Sequence, residues 1–176
     1  MPRNAFEGCV QVYTGDGKGK TTAALGLIVR ACGAGLRVYL GQFIKRGLSS
    51  ELKTLRQRFP EVTVEQFGRG GFIKGRPAAR DVAAARAGLA KLRAALRSGR
   101  FDVVIADEAT VAVALGLFPA ADLIALVALK PPNVELVVTG RRAPAQLIER
   151  ADLVTEMRAV KHYFDRGIGA RRGIEK

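Results

Sequence analysis

The sequence predicts an α/β domain, a mainly parallel sheet of about six strands with helices on both faces. Three observations carry that expectation. Short apolar runs alternate along the chain with longer stretches of helical composition, the order from which parallel sheets are wound. One of the runs, Phe101–Ala106, is apolar at nearly every position and rich in β-branched residues, as a strand buried on both faces must be. And the first run leads through a glycine-rich turn directly into a helical pattern. At 176 residues the chain has the length of one domain with a sizeable core. No repeat, low-complexity tract or linker divides it. Residues 1–176 are therefore read as a single domain, with 1–8 as an N-terminal extension and 158–176 as a basic, glycine-punctuated tail.

In chain order, Cys9–Tyr13 reads as a buried strand and Ala23–Arg30 as a helix, stopped by Gly33 and Gly35. Leu36–Gly41 alternates and reads as a second strand running into Gln42–Gly47. Ser49–Phe59 is helical and ends at Pro60; Val62–Phe67 is a third strand. Gly68–Pro77 holds four glycines and a proline, which no regular element tolerates. It is read as a loop over a ligand groove. From Ala78 to Ser98, Val82, Ala85, Leu89, Leu92 and Leu96 share one helical face, which is core packing. After the strand at Phe101–Ala106 come helices over Thr110–Phe118 and from Pro119 to Leu129, with Pro119 suited to a first helical position. Val134–Thr139 is a strand, Pro144–Ala151 a short helix and Leu153–Met157 a last short strand. Cys9 and Cys32 lack metal-ligand spacing and read as small core residues of a reducing compartment. The single histidine, His162, has no partner set for a metal and reads as structural.

The N-terminus has no apolar signal core and no run approaches a membrane span, so a cytoplasmic protein without a membrane role is expected. The formal net charge of +13 attracts polyanions or acidic proteins. It is spread along the chain, so a solvated basic surface is an equal reading.

The chemistry concentrates in Thr14-Gly15-Asp16-Gly17-Lys18-Gly19-Lys20-Thr21-Thr22. Strand, glycine-rich turn, then Gly-Lys-Thr at a helix start is the layout of a phosphate-binding loop. Glycines let backbone N–H groups turn inward, and the helix N-terminus adds donors and partial positive charge. Lys20, expected to stand exposed in the loop, supplies charge for the outer phosphates. Thr21 supplies a hydroxyl for magnesium. The expected fold is thereby narrowed to a P-loop NTPase-like (RecA-like) sheet. The usual first glycine position holds Thr14, and the first glycine comes one residue late. That shortened spacing suggests a phosphate placement different from that of hydrolases. Asp107-Glu108, at the end of a buried strand, reads as the acidic partner of the magnesium, with a helix N-cap by Asp107 as the alternative. Arg141 follows another strand, on the edge where ligands sit.

These pieces, with Gln42-Phe43-Ile44-Lys45, Val104–Glu108, Val138–Arg141, Ala151–Met157 and Val160-Lys161-His162, resemble in order the phosphate-loop ATP:corrinoid adenosyltransferases. The resemblance covers nearly the whole chain. It implies transfer of the 5′-deoxyadenosyl group of ATP to the cobalt(I) of a reduced corrinoid, with tripolyphosphate leaving. It implies that Gly15, Asp16, Gly17, Lys18, Gly19, Lys20, Thr21, Thr22 and Arg141 bind ATP. Thr21 and Glu108, with Asp107, hold magnesium. Lys20, Thr21 and Glu108 carry catalysis. Gln42 and Lys45 lie near the nucleotide or corrinoid mouth, with Phe72 and Lys74 in the corrinoid-facing loop. Some members carry a tryptophan where Lys74 stands here. The resemblance suggests a homodimer, and the basic surface would suit an acidic electron donor such as a flavodoxin. The competing class is an ATP-driven, nucleic-acid-binding ATPase of the same fold. It would suit the charge, but no separate nucleic-acid module is visible and few aromatics are available for stacking.

Overall fold

The computed structural model describes residues 7–47, 49–70, 73 and 75–175. Six strands, β1 (Val10–Thr14), β2 (Val38–Gln42), β3 (Val62–Gln66), β4 (Val103–Asp107), β5 (Glu135–Thr139) and β6 (Leu153–Glu156), alternate with helices. The helices are α1 (Lys20–Gly33), α2 (Ser50–Arg58), α3 (Ala79–Arg97), α4 (Ala109–Ala114), α5 (Ala120–Ala128) and α6 (Ala145–Arg150). A 3₁₀ turn follows at Tyr163–Arg166. The sheet has the order β3-β2-β4-β5-β1-β6, and every neighbouring pair is parallel. The expected parallel, doubly covered sheet is therefore what forms. Because all strands run one way, their carboxyl ends line one edge, which is where ligands bind in such sheets.

Period-two alternation assigns the strand side chains to two cores. Val12, Tyr39, Val104, Leu136 and Val138 pack beneath α3, α4, α5 and α6 through Leu89, Leu92, Ala112, Leu126 and Leu147. Tyr13, Leu40, Val103, Ile105 and Val137 pack beneath α1 and α2 through Ala24, Ile28, Leu52 and Leu55. The α3 face read from spacing is the buried one: Ala85, Leu89, Leu92 and Leu96 are all at most 3% exposed.

Three local expectations need correcting. The helix expected over Thr110–Phe118 stops at Ala114, because Gly116 turns the chain with φ 72° and lets Leu117 and Phe118 enter the core instead. Pro119 caps α5 rather than opening it, since its ψ of 155° is extended. Cys9 and Cys32 are only half-buried, and of the two Cys32 packs against the core beneath α1.

Candidate functional site

The site grows from the turn between β1 and α1. Gly15 has φ 90°, and a side chain on it or on Gly17 would put Cβ 2.5 or 2.6 Å from the Met157 carbonyl oxygen. The loop is pinned there: Gly17 N–H donates to that carbonyl at 2.6 Å, and Met157 N–H donates to Thr14 C=O at 2.9 Å. Thr14, the departure from the usual glycine, closes β1 and accepts from Ala143 N–H through its hydroxyl at 3.2 Å. The residue after β6 thus braces the loop, and a glycine at 14 would lose the tie to the β5–α6 turn.

α1 begins at Lys20 with Gly19 as its cap, no side-chain cap bond and no acidic residue in its first turn. No side chain of the helix's own first turn caps or neutralises its N-terminal donors, which suits an anion site. Lys20 corrects an expectation. It is 7% exposed, not free in a loop, and its ammonium donates to the carbonyls of Gly15 (2.7 Å) and Gly17 (2.6 Å). Burial, then the nearby Arg141 charge, hold its pKa below the usual lysine value, against the pull of Glu108, Asp16 and Asp107.

Asp107 ends β4 and is fully buried. Its Oδ1 accepts from the hydroxyls of Thr21 (2.9 Å) and Thr139 (2.6 Å). Its Oδ2 accepts from Gln42 Nε2 (3.0 Å), with Lys45 Nζ at 3.8 Å. Asp107 is therefore a strand residue and not the helix cap that was the alternative reading. The cap of α4 is Glu108, held at φ 59°, with its N–H donating to the Thr139 hydroxyl at 3.0 Å. That left-handed turn sends adjacent carboxylates different ways: Asp107 inward to Thr21, Glu108 to the cavity wall. Burial, then the Asp107 charge, push the Glu108 pKa up, opposed by Lys45, Lys20 and Arg141.

These elements enclose a cavity of about 610 Å³. One end is polar, formed by the residues from Gly17 to Thr22 with Lys45, Glu108 and Arg141. The guanidinium of Arg141 stands at the rim, 3.8 Å from Asp16. Away from the loop the lining joins the apolar Leu25, Val29, Leu55 and Phe59 to Ser50, Glu51 and Thr54 of α2, and His162 and residues 173–175 also line the cavity. His162 has the structural role expected, its Nδ1 accepting from Phe164 N–H, but it also stands in the cavity wall. Val29, 53% exposed, is the signal that sequence reading passed over: an apolar residue one position off the α1 core stripe of Ala24 and Ile28.

The expected mouth residues separate. Gln42 is fully buried and cannot face a ligand mouth. Its side chain is spent on Asp107 and Gln66. Lys45 reaches the polar end of the cavity. Phe72 and Lys74 lie outside the described residues. Between them, Ile73 packs against the α3-side core.

Fold and site together define a phosphate-loop nucleotide-binding protein: a parallel sheet whose first strand delivers Gly-Lys-Thr to a helix N-terminus, with an aspartate from β4 on the threonine. Comparison with known families is more specific. The model of the ATP:corrinoid adenosyltransferase family BtuR/CobO/CobP matches residues 6–175, and the chain belongs to that family. It is 37% identical over 169 residues to a corrinoid adenosyltransferase of Pseudomonas aeruginosa, covering 96% of this chain and 83% of the relative. It is 36% identical over 174 residues to one of Sinorhizobium, covering 96% and 80%. It is 36% identical over 169 residues to one of Salmonella typhimurium, covering 96% and 85%.

Proposed function

We propose that this chain transfers the 5′-deoxyadenosyl group of ATP to the cobalt(I) of a reduced corrinoid and releases tripolyphosphate. The observation that carries the reading is the polar end of the cavity, where the α1 N-terminus, Lys20, Lys45 and Arg141 converge in a chain of this family. The bond that forms is cobalt–carbon; the bond that breaks joins C5′ to the first phosphate oxygen, and its electron pair leaves with the triphosphate. Cobalt(I) is the nucleophile, so no protein base is needed. The protein's task is to hold the carbon in line and to offset charge growing on the leaving oxygens. Gly15 to Thr22 bind the phosphates through N–H groups and the Lys20 ammonium, and Arg141 closes over them from the rim.

Thr21 and Glu108 fit a magnesium ion. The Thr21 hydroxyl donates its hydrogen bond to Asp107, which leaves its oxygen lone pairs for the cavity, and Glu108 is a carboxylate whose ionisation a nearby cation would favour. Oxygen donors of this kind suit magnesium beside phosphates. Bound there, magnesium supplies charge neutralisation to the phosphate oxygens. Asp107 serves by holding Thr21, with its own oxygens already engaged.

The remaining roles follow from the family resemblance and from the composition, charge and loop spacing of the sequence. The loop carrying Phe72 and Lys74 faces the corrinoid. The chain works as a single domain over residues 1–176 in the cytoplasm, as a homodimer, with an acidic flavodoxin-type protein as electron donor to the basic surface. The late first glycine sets a triphosphate placement suited to its leaving intact. Among the described residues no helix is long and apolar enough to cross a membrane.

Anaerobic incubation with ATP, magnesium and a cobalt(I) corrinoid tests the proposal. A light-sensitive alkyl-cobalt product with stoichiometric tripolyphosphate is expected. ADP and phosphate without alkylated corrinoid would refute it.

A further inference from the structure

We infer that Gln42 is a positioning residue that acts through Asp107 to fix the Thr21 hydroxyl, and that Gln66 backs it from the neighbouring strand. The inference rests on the reading of Thr21 as a magnesium ligand. Gln42 stands in register with Gln66 of β3 and with Asp107 of β4. In adjacent parallel strands, in-register side chains share a face, with the strands about 4.8 Å apart. The three side chains therefore form one polar row across the strand ends. Gln66 Nε2 donates to Gln42 Oε1 at 3.1 Å, and Gln42 Nε2 donates to Asp107 Oδ2 at 3.0 Å.

The direction of that row is dictated by chemistry. A carboxylate only accepts, so the Gln42 nitrogen must face Asp107 and its oxygen must face Gln66, whose nitrogen donates. Asp107 is thus gripped from different elements: by Gln42 on β2, by Thr139 on β5 and by Thr21 on α1. With both oxygens held, the carboxyl group cannot rotate, and the Thr21 hydroxyl keeps a fixed acceptor. Without Gln42, Oδ2 is free to swing toward Lys45, now 3.8 Å away, and the Thr21 acceptor moves with it. A fully buried amide is unfavourable unless both its ends are paired, and the preceding β2 residue that shares its face, Leu40, is apolar. Packing alone would accept leucine at 42. The amide stands where the strands meet the phosphate loop.

The test is calorimetric titration of ATP with and without magnesium, on the wild type and on Gln42→Leu and Gln66→Leu, with melting temperatures alongside. Gln42→Leu is expected to reduce the magnesium-dependent gain in ATP affinity severalfold, less than the tenfold or more that accompanies loss of an outer-shell partner such as Asp107, because Gln42 stands one contact further from the metal ligand. Metal-free ATP affinity stays at the wild-type value, and Gln66→Leu gives a smaller loss in the same direction. An unchanged magnesium gain in Gln42→Leu overturns the inference. So does an equal loss with and without metal, which would mark a purely structural residue. Should Gln42→Leu not fold, Gln66→Leu decides: a reduced gain supports the role, and an unchanged gain overturns it. A wild type in which magnesium gives no gain overturns the magnesium reading itself, a result separate from any effect of the two glutamines.

Discussion

Replacing Lys20 by methionine separates the phosphate role of this lysine from its structural one. The side chain is 7% exposed, so methionine fills the space and removes only the charge and its bonds. Two effects on stability oppose each other. The ammonium gives up its bonds to Gly15 and Gly17, each worth about 1.5–3 kcal/mol for a charged donor. Against this, burial depresses the Lys20 pKa below its ordinary 10.5. A base with a depressed folded pKa opposes folding at every pH below that folded value, and the penalty fades only as pH rises from there toward 10.5. Below that folded value the penalty is fully present, and Lys20→Met removes it. The melting temperature should therefore fall by less than the loss of both bonds alone would give, at roughly 2–4 °C per kcal/mol for a chain of this size. Transfer is another matter. A preorganised donor aimed at developing charge is worth roughly 10²–10³ in rate, and adenosyl transfer at saturating ATP should fall by about that factor. Anaerobic turnover, followed by the alkyl-cobalt product, measures it. A folded Lys20→Met variant within about tenfold of wild-type turnover would refute the assignment.

Further expectations concern the carboxylates and the core. The Glu108 pKa is raised by burial and then by Asp107, so folding loses stability as pH rises from 4.5 through the folded value. Glu108→Gln should therefore melt higher than wild type at neutral pH and converge with it in acid, while its magnesium requirement for activity rises; lower melting at neutral pH would contradict this. Thr139→Val removes the hydroxyl shared by Asp107 and the Glu108 N–H, and should cost about 1–3 kcal/mol in denaturant unfolding because both buried partners lose a bond; Thr139→Ser should restore most of it. A Cβ on Gly88 would lie 2.4 Å from the Phe67 ring. Gly88→Ala should cost about 1–3 kcal/mol by overpacking, and adding Phe67→Leu should recover part of it; additive losses would show that the two sites are not in contact. Leu123→Ala, at a fully buried α5 position, should cost about 2–5 kcal/mol, measured by the same unfolding.

The sheet was legible because its signal is local. Val104, Ile105, Val137 and Val138 are β-branched, and their neighbours on both faces are apolar. The phosphate loop was legible for a like reason, since strand, turn and helix start lie within a dozen residues. What escaped was set by long-range contact. Whether Lys20 stands free or is drawn onto loop carbonyls depends on Met157 and Arg141. Gln42 reads as a loop entrance from its neighbours Phe43 and Ile44, yet register with Asp107 buries it. Sequence order suggested that Asp107 and Glu108 act as a pair, but the left-handed turn at Glu108 parts them. The apolar cavity wall went unseen because it joins Val29 of α1 to Phe59 after α2, with residue 174 beyond both.

The bond from Gly17 to the Met157 carbonyl spans almost the whole chain, and it orders events during synthesis. The phosphate loop is made well before the residue that braces it. Domains mature as their chains emerge, and contacts of such long sequence separation close late. A nascent chain that has already paired β1 with β5 still lacks β6 on its other side, and its loop has no carbonyl to rest on. Competence to take up nucleotide is thus deferred until after β6 is made, and a chain interrupted before Met157 could hold five strands yet leave its earliest motif unset.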